Sequence, residues 1–247
     1  MKFVGERRAL ASAILAFYGM FYTVIALSKM VPELSPAFAA LAGVYGLAFF
    51  SLVAGYFWAR WYSVGVGLYG LITAAVGMWQ VGAEPVLVFV GATHLAATAM
   101  LWGGAMSEPY DGQTAWRQKF HMDENAVQRL GRSVIRAGVS LPFVLLYALA
   151  PKPDTTSLIA SIAALALTGL GIRALIQLKT WGVLALGAAG ALLTTLAAAS
   201  IATDGLTMAM FKPTLAGGLL IAAALPFVAP MVRWICGSAR ESFGSRQ

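Results

Sequence analysis

Long apolar stretches alternate along this chain with short polar interruptions. Eight stand out, over residues 9–31, 37–58, 62–81, 85–106, 133–150, 157–178, 181–202 and 214–235. Each approaches the ~20 residues that cross ~30 Å of hydrocarbon at ~1.5 Å per residue. The runs are apolar on every face, as a lipid-embedded helix can be, whereas barrel strands would be about 9–11 residues of alternating character. The pattern predicts an all-α, polytopic transmembrane helix bundle of about eight spans.

Proline placement agrees with helices. Pro32, Pro36, Pro85, Pro151, Pro153 and Pro213 fall between spans or in their first turns, where a missing N–H costs least. Pro142, Pro226 and Pro230 fall inside spans and are expected to kink the fifth and last helices. Between the second and third spans only Arg60 interrupts the apolar run, which predicts a tight hairpin at 59–61. The first apolar run exceeds the ~7–15 residues of a signal-peptide core, so it reads as a first transmembrane helix.

Composition supports the membrane reading. The chain is 60% hydrophobic and 11% charged, with a mean hydropathy of +0.77, against about 45–50% and about 25% for soluble domains. The net charge of +7 is an orientation signal. With eight spans, fourteen of the seventeen Lys and Arg, and six of the ten acids, fall on the side of the N-terminus. That excess predicts cytoplasmic N- and C-termini in a multi-pass protein, with contact to anionic lipid headgroups. Nucleic-acid binding needs cations clustered on an ordered polar domain, which the sequence does not offer. Compact loops and Ala/Gly-rich spans suggest the cell inner (plasma) membrane.

Residues 107–132 form the one sizeable polar segment, read as a cytoplasmic linker between four-helix halves at 1–106 and 133–247. Asp123 is a candidate cap for a helical extension into the fifth span, and Tyr110, Trp116 and Phe120 keep a docking role in view. A weak echo links the halves: Trp61, Gly67 and Gly70 match Trp181, Gly187 and Gly190 at a constant offset of 120. It suggests two parallel halves in a 4+4 pseudo-repeat. Dense small residues would let helix backbones approach closely.

Motifs for chemistry are sparse. The chain has no HExxH, GxSxG or Walker lysine pattern, and its acids lie at or beyond span ends. Catalysis is not expected. The lone cysteine, Cys236, removes disulfide and Cys-based metal sites within the chain. His94 is the titratable residue placed near the middle of a span, with Gly91, Thr98 and Trp102 on the same helical face. His94, Thr98 and Trp102 are therefore the candidate cofactor-binding set, with haem or quinone as the group, beside the expected lipids. The competing reading is a neutral imidazole bonded within the bundle. A second haem-ligating histidine is lacking in the spans, because His121 falls in the loop. Tyr18, Tyr22, Tyr45, Tyr56 and Tyr69 are deep enough to bond across helices or line a crevice, and Trp58, Trp61, Trp79, Trp102, Trp181 and Trp234 read as interfacial anchors.

Three functions compete. The leading one is a non-catalytic accessory or scaffold subunit of a larger inner-membrane assembly, with other membrane-protein subunits as partners. The alternatives are a transporter or channel for a small neutral or lipophilic solute, and a redox or pigment-associated subunit that uses His94.

Overall fold

The structure, a computed structural model, describes residues 3–103, 106, 124–205 and 207–244, and the side chains among these except at 124, 125, 204 and 229–244. It is a bundle of helices: α1 (Val4–Ser28), α2 (Ser35–Ala54), α3 (Ala59–Val81), α4 (Pro85–Leu101), α5 (Glu124–Ala148), α6 (Thr155–Ile176), α7 (Trp181–Asp204) and α8 (Phe211–Gly244). Seven helices contain segments long and apolar enough to cross a membrane, while α4 has 17 residues. At ~1.5 Å per residue α4 is about 26 Å long, slightly short of a typical hydrocarbon core.

Large apolar side chains face outward, among them Met20, Val24 and Leu27 of α1, Phe50 of α2, Phe89 of α4 and Ile159 of α6. Small hydroxyls are buried instead, including Ser12, Ser63, Ser140, Ser161 and Thr168. Ser140 and Thr168 donate to helix carbonyls four residues back, so their polarity is spent inside their own helices. The core itself is apolar too, with Leu15, Leu41, Leu52 and Leu186 buried, and an apolar interior and exterior together suit a protein whose surrounding solvent is apolar.

Consecutive helices pack in two closed groups. α1 lies against α2 and α4, and α3 against α2 and α4; likewise α5 lies against α6 and α8, and α7 against α6 and α8. The groups meet chiefly where α3 packs on α5, with a smaller contact of α2 on α5. The α7–α1 pair shows no comparable packing among the described residues. The join is close because both helices carry glycine at the crossing. A Cβ built on Gly65 would lie 2.6 Å from the Ile135 carbonyl oxygen and 3.0 Å from the Gly138 Cα. Deeper along α3, Tyr69 meets Phe143 edge-on at 4.9 Å between ring centroids.

The echoed glycines of α3 and α7 match in part, since Gly187, the counterpart of Gly67, has only an ordinary contact with Ala224 at 3.7 Å. Gly67 and Gly70 admit α4, and Gly190 admits α8, where a Cβ would lie 2.9 Å from the Gly217 carbonyl oxygen. The echoed tryptophans differ. Trp61 is 6% exposed and lies against Gly131 of α5, whereas Trp181 is exposed.

Several boundaries move from their expected positions. The break between the second and third spans is at 55–58, not 59–61. Gly55 takes φ 74° after the last turn of α2, and the Tyr56 N–H returns to the Ser51 carbonyl. This glycine-closed helix end is invisible to hydropathy because Tyr56, Phe57 and Trp58 are apolar. Tyr56 consequently sits in an exposed turn, stacked on Trp58, and not deep in the bundle. α5 begins at Glu124, so 124–132 of the expected linker are helical. Residues 107–123, with Tyr110, Trp116, Phe120, His121 and Asp123, lie outside the described residues, as do the side chains of Trp234 and Cys236.

Helix ends are closed by cations from a distance. Arg7, in the first turn of α1, donates to the carbonyls of Ala99 and Trp102 at 3.2 and 2.6 Å, at the end of α4. Its neighbour Arg8 donates to the carbonyls of Leu52 and Val53 at the end of α2. Both neutralise the partial negative charge that accumulates on terminal helix carbonyls. They also bring the start of α1 level with the ends of α2 and α4.

Candidate functional site

His94 lies on α4 facing the centre of the first helix group and is 1% exposed. Its Nδ1 is 2.8 Å from the carbonyl oxygen of Val90, one turn back, and its Nε2 is 2.7 Å from the Tyr45 hydroxyl on α2. A carbonyl only accepts, so Nδ1 carries the proton and donates. Nε2 of this neutral imidazole then accepts from the Tyr45 hydroxyl. Both ring nitrogens are spent within the protein.

Three helices wall the ring. Tyr18 of α1 lies 4.1 Å away between ring centroids, and Tyr45 of α2 lies 5.8 Å away. On α3, Gly70 leaves the remaining room: any Cβ there would overlap the imidazole. The neighbouring Thr93 donates to the Phe89 carbonyl at 2.8 Å and accepts from the Tyr18 hydroxyl at 2.7 Å. Tyr22 extends the cluster, 5.4 Å from Tyr45 and stacked on Phe38 at 6.2 Å. α1, α2 and α4 are thus tied together by one buried and one part-buried hydroxyl-to-side-chain bond and a run of aromatic contacts.

The three candidate residues separate in this geometry. Thr98 is 7% exposed, one turn beyond His94, and packs over Gly67 of α3, where a Cβ would overlap its hydroxyl. That hydroxyl is buried without a hydrogen-bond partner. Trp102 is 60% exposed beyond the end of α4, and its carbonyl is held by Arg7. His94 and Thr98 therefore share the α3–α4 contact, and Trp102 belongs to the rim of the bundle.

For His94 to ligate iron, Nε2 would have to exchange the Tyr45 hydroxyl for the metal. A quinone carbonyl would face the same competition, because it needs a donor and the imidazole N–H is already given to Val90. Among the described residues, no group of three or more His, Cys, Asp or Glu is placed to hold a metal ion.

No protein-family model matches the chain, and no curated protein or solved structure shows significant similarity to it. The residues alone carry the functional reading.

Two features of the site were only half visible in the sequence. The depth of Tyr18 and Tyr45 was legible from their positions, but their pairing with Thr93 and His94 requires the helix order around the group. Arg136, one of the fourteen cations assigned to the side of the N-terminus, stands twelve residues before the end of α5, or about 18 Å along the axis. Its Nη1 donates at 2.7 Å to the carbonyl of Ala222, eleven residues into α8. The bundle therefore holds a cation bonded between α5 and α8 as well as a histidine.

Proposed function

We propose that this multi-pass membrane protein is a non-catalytic accessory or scaffold subunit of a larger assembly in the cell inner membrane. The observation that carries the reading is the close packing of the two helix groups at Gly65, Gly138, Tyr69 and Phe143. Gly65 on Gly138 and Tyr69 on Phe143 fill the place where a transporter of two halves would keep its solute site. The engagement of both His94 nitrogens supports the same reading over a redox role. What the chain then offers is a rigid, small-residue-packed body with an apolar exterior, suited to contact with lipid and with other membrane helices.

The test is extraction of the tagged native chain with its surrounding lipid, without detergent, followed by quantitative mass spectrometry. A stoichiometric membrane-protein partner is expected. A monodisperse single chain with no partner contradicts the proposal, and a bound haem or quinone would redirect it to the redox reading.

A further inference from the structure

The bundle end that carries the start of α1 holds a cavity of about 320 Å³ between the start of α3, the end of α4 and the first turns of α5. Its lining combines two kinds of surface. Trp61 and Leu101 are buried and apolar, while Arg60, Arg132, Gln128 and the exposed Trp102 supply polar groups and an indole. Arg60 comes from α3 and Arg132 from α5, so two guanidinium-bearing residues from different helices line one cavity.

We infer that this cavity binds the phosphate of an anionic glycerophospholipid, with Arg60 and Arg132 on the phosphate and Trp102 at the level of the glycerol backbone. Guanidinium is the side chain best matched to phosphate, because its planar fork donates two parallel hydrogen bonds. Basic pockets between spans on the cation-rich face are suited to lipid headgroups. A free phosphate would satisfy the arginines but leave the apolar lining uncovered. A lipid answers both, because its acyl chains run along the neighbouring helices while its headgroup enters the cavity. At the base of the site Trp61 packs on Gly131, where a Cβ would be 2.7 Å from the indole. The inference is independent of the scaffold reading, since a transporter or a redox subunit would use such a site equally well.

The experiment is native mass spectrometry of the full chain in uncharged detergent, titrated with dioleoylphosphatidylglycerol, dioleoylphosphatidylcholine or inorganic phosphate. Phosphatidylglycerol is expected to give a one-to-one complex that survives activation able to strip phosphatidylcholine. Arg132→Gln should weaken it about tenfold, the scale of a lost charge-assisted contact. Lys179→Gln removes the same charge from an exposed position of the α6–α7 turn and should change binding less than about twofold. Arg132→Lys keeps the charge without the fork and should fall between the two, and it serves if the glutamine variant folds poorly. Equal losses in the Arg132 and Lys179 variants would reduce the effect to general surface charge and overturn the inference. So would equal retention of phosphatidylcholine, or displacement of the lipid by an equal concentration of inorganic phosphate.

Discussion

Arg136 Nη1 donates to the carbonyl of Ala222 across 2.7 Å, and that carbonyl is the one Pro226 leaves without its helical donor. Proline lacks the N–H that would return four residues. In lipid an orphaned carbonyl finds no water, so a neighbouring side chain must serve it. The arginine of α5 thereby repairs a defect in α8 and fastens the two helices.

This coupling is measurable as a double-mutant cycle. Arg136→Gln is expected to destabilise the bundle by about 1.5–3 kcal/mol, the range for hydrogen bonds to charged groups. Pro226→Ala restores an N–H for Ala222, so in that background the same Arg136 substitution should cost about 1 kcal/mol less. Denaturation in mixed micelles reads both; strictly additive effects would leave Arg136 without this role.

Glycines should divide by what faces them. Gly70→Ala drives a methyl into His94, and Gly65→Ala drives one into the α5 backbone, so each should cost about 1–3 kcal/mol or more. Gly43 and Gly218 have nothing within 4 Å of a built Cβ. Alanine there should be neutral or stabilising by up to about 1 kcal/mol, because glycine is a poor helix former. Thermal unfolding of the four variants checks the division.

The hydroxyls beside His94 predict opposite outcomes. Tyr45→Phe strands Nε2 without its donor and should destabilise by about 1–3 kcal/mol. Thr98→Val removes a buried hydroxyl that has no partner, so it should be neutral or stabilising. Nitrogen NMR of histidine-labelled protein, with His121→Asn to leave one signal set, should report a proton on Nδ1 and none on Nε2. A signal protonated on Nε2 contradicts the assignment.

Outside the spans, Lys152 carries a pH-dependent charge. Burial, reinforced by the like charge of Lys212, pushes its amine from 10.5 down to about 8. The Tyr147 ring, 3.3 Å from Nζ, favours the charged form but does not outweigh burial. Between about 8 and 10.5 the unfolded chain holds more protons, so stability rises with pH through that window, and below about 8 the penalty is fully present. Amine acylation mapped by peptide should give Lys152 a midpoint near 8, moving upward in Lys212→Gln. Midpoints near 10.5 in both proteins would contradict this.

Periodicity and length were sufficient for the helices because a lipid-facing span announces itself by uninterrupted apolarity. They failed where that signal is silent. The Gly55 turn is made of apolar residues, and the start of α5 lies in a polar stretch, where Gly131 packs against Trp61 of α3. The partner of Arg136 was hidden for a related reason: a cation near the start of an apolar run reads as a boundary, and its bond appears only once α8 supplies Ala222. At the site, the position of His94 was legible, whereas its partners were not. Tyr45 lies 49 residues away on another helix, and no spacing rule connects them. Asp154 shows the converse: its side chain caps α6 through the Ser157 N–H at 2.8 Å, a local pattern that helix-start rules describe directly.

The central claim is a chain that threads repeatedly through lipid, with successive turns on opposite faces. In a Cys236→Ser background, single cysteines at Gly5, Glu33, Glu84 and Lys179 can be probed in intact cells with a membrane-impermeant maleimide. Positions 33 and 84 should label from one side, and positions 5 and 179 only after the membrane is opened. Labelling of positions 5 and 33 from the same side would contradict the fold's passage through the bilayer.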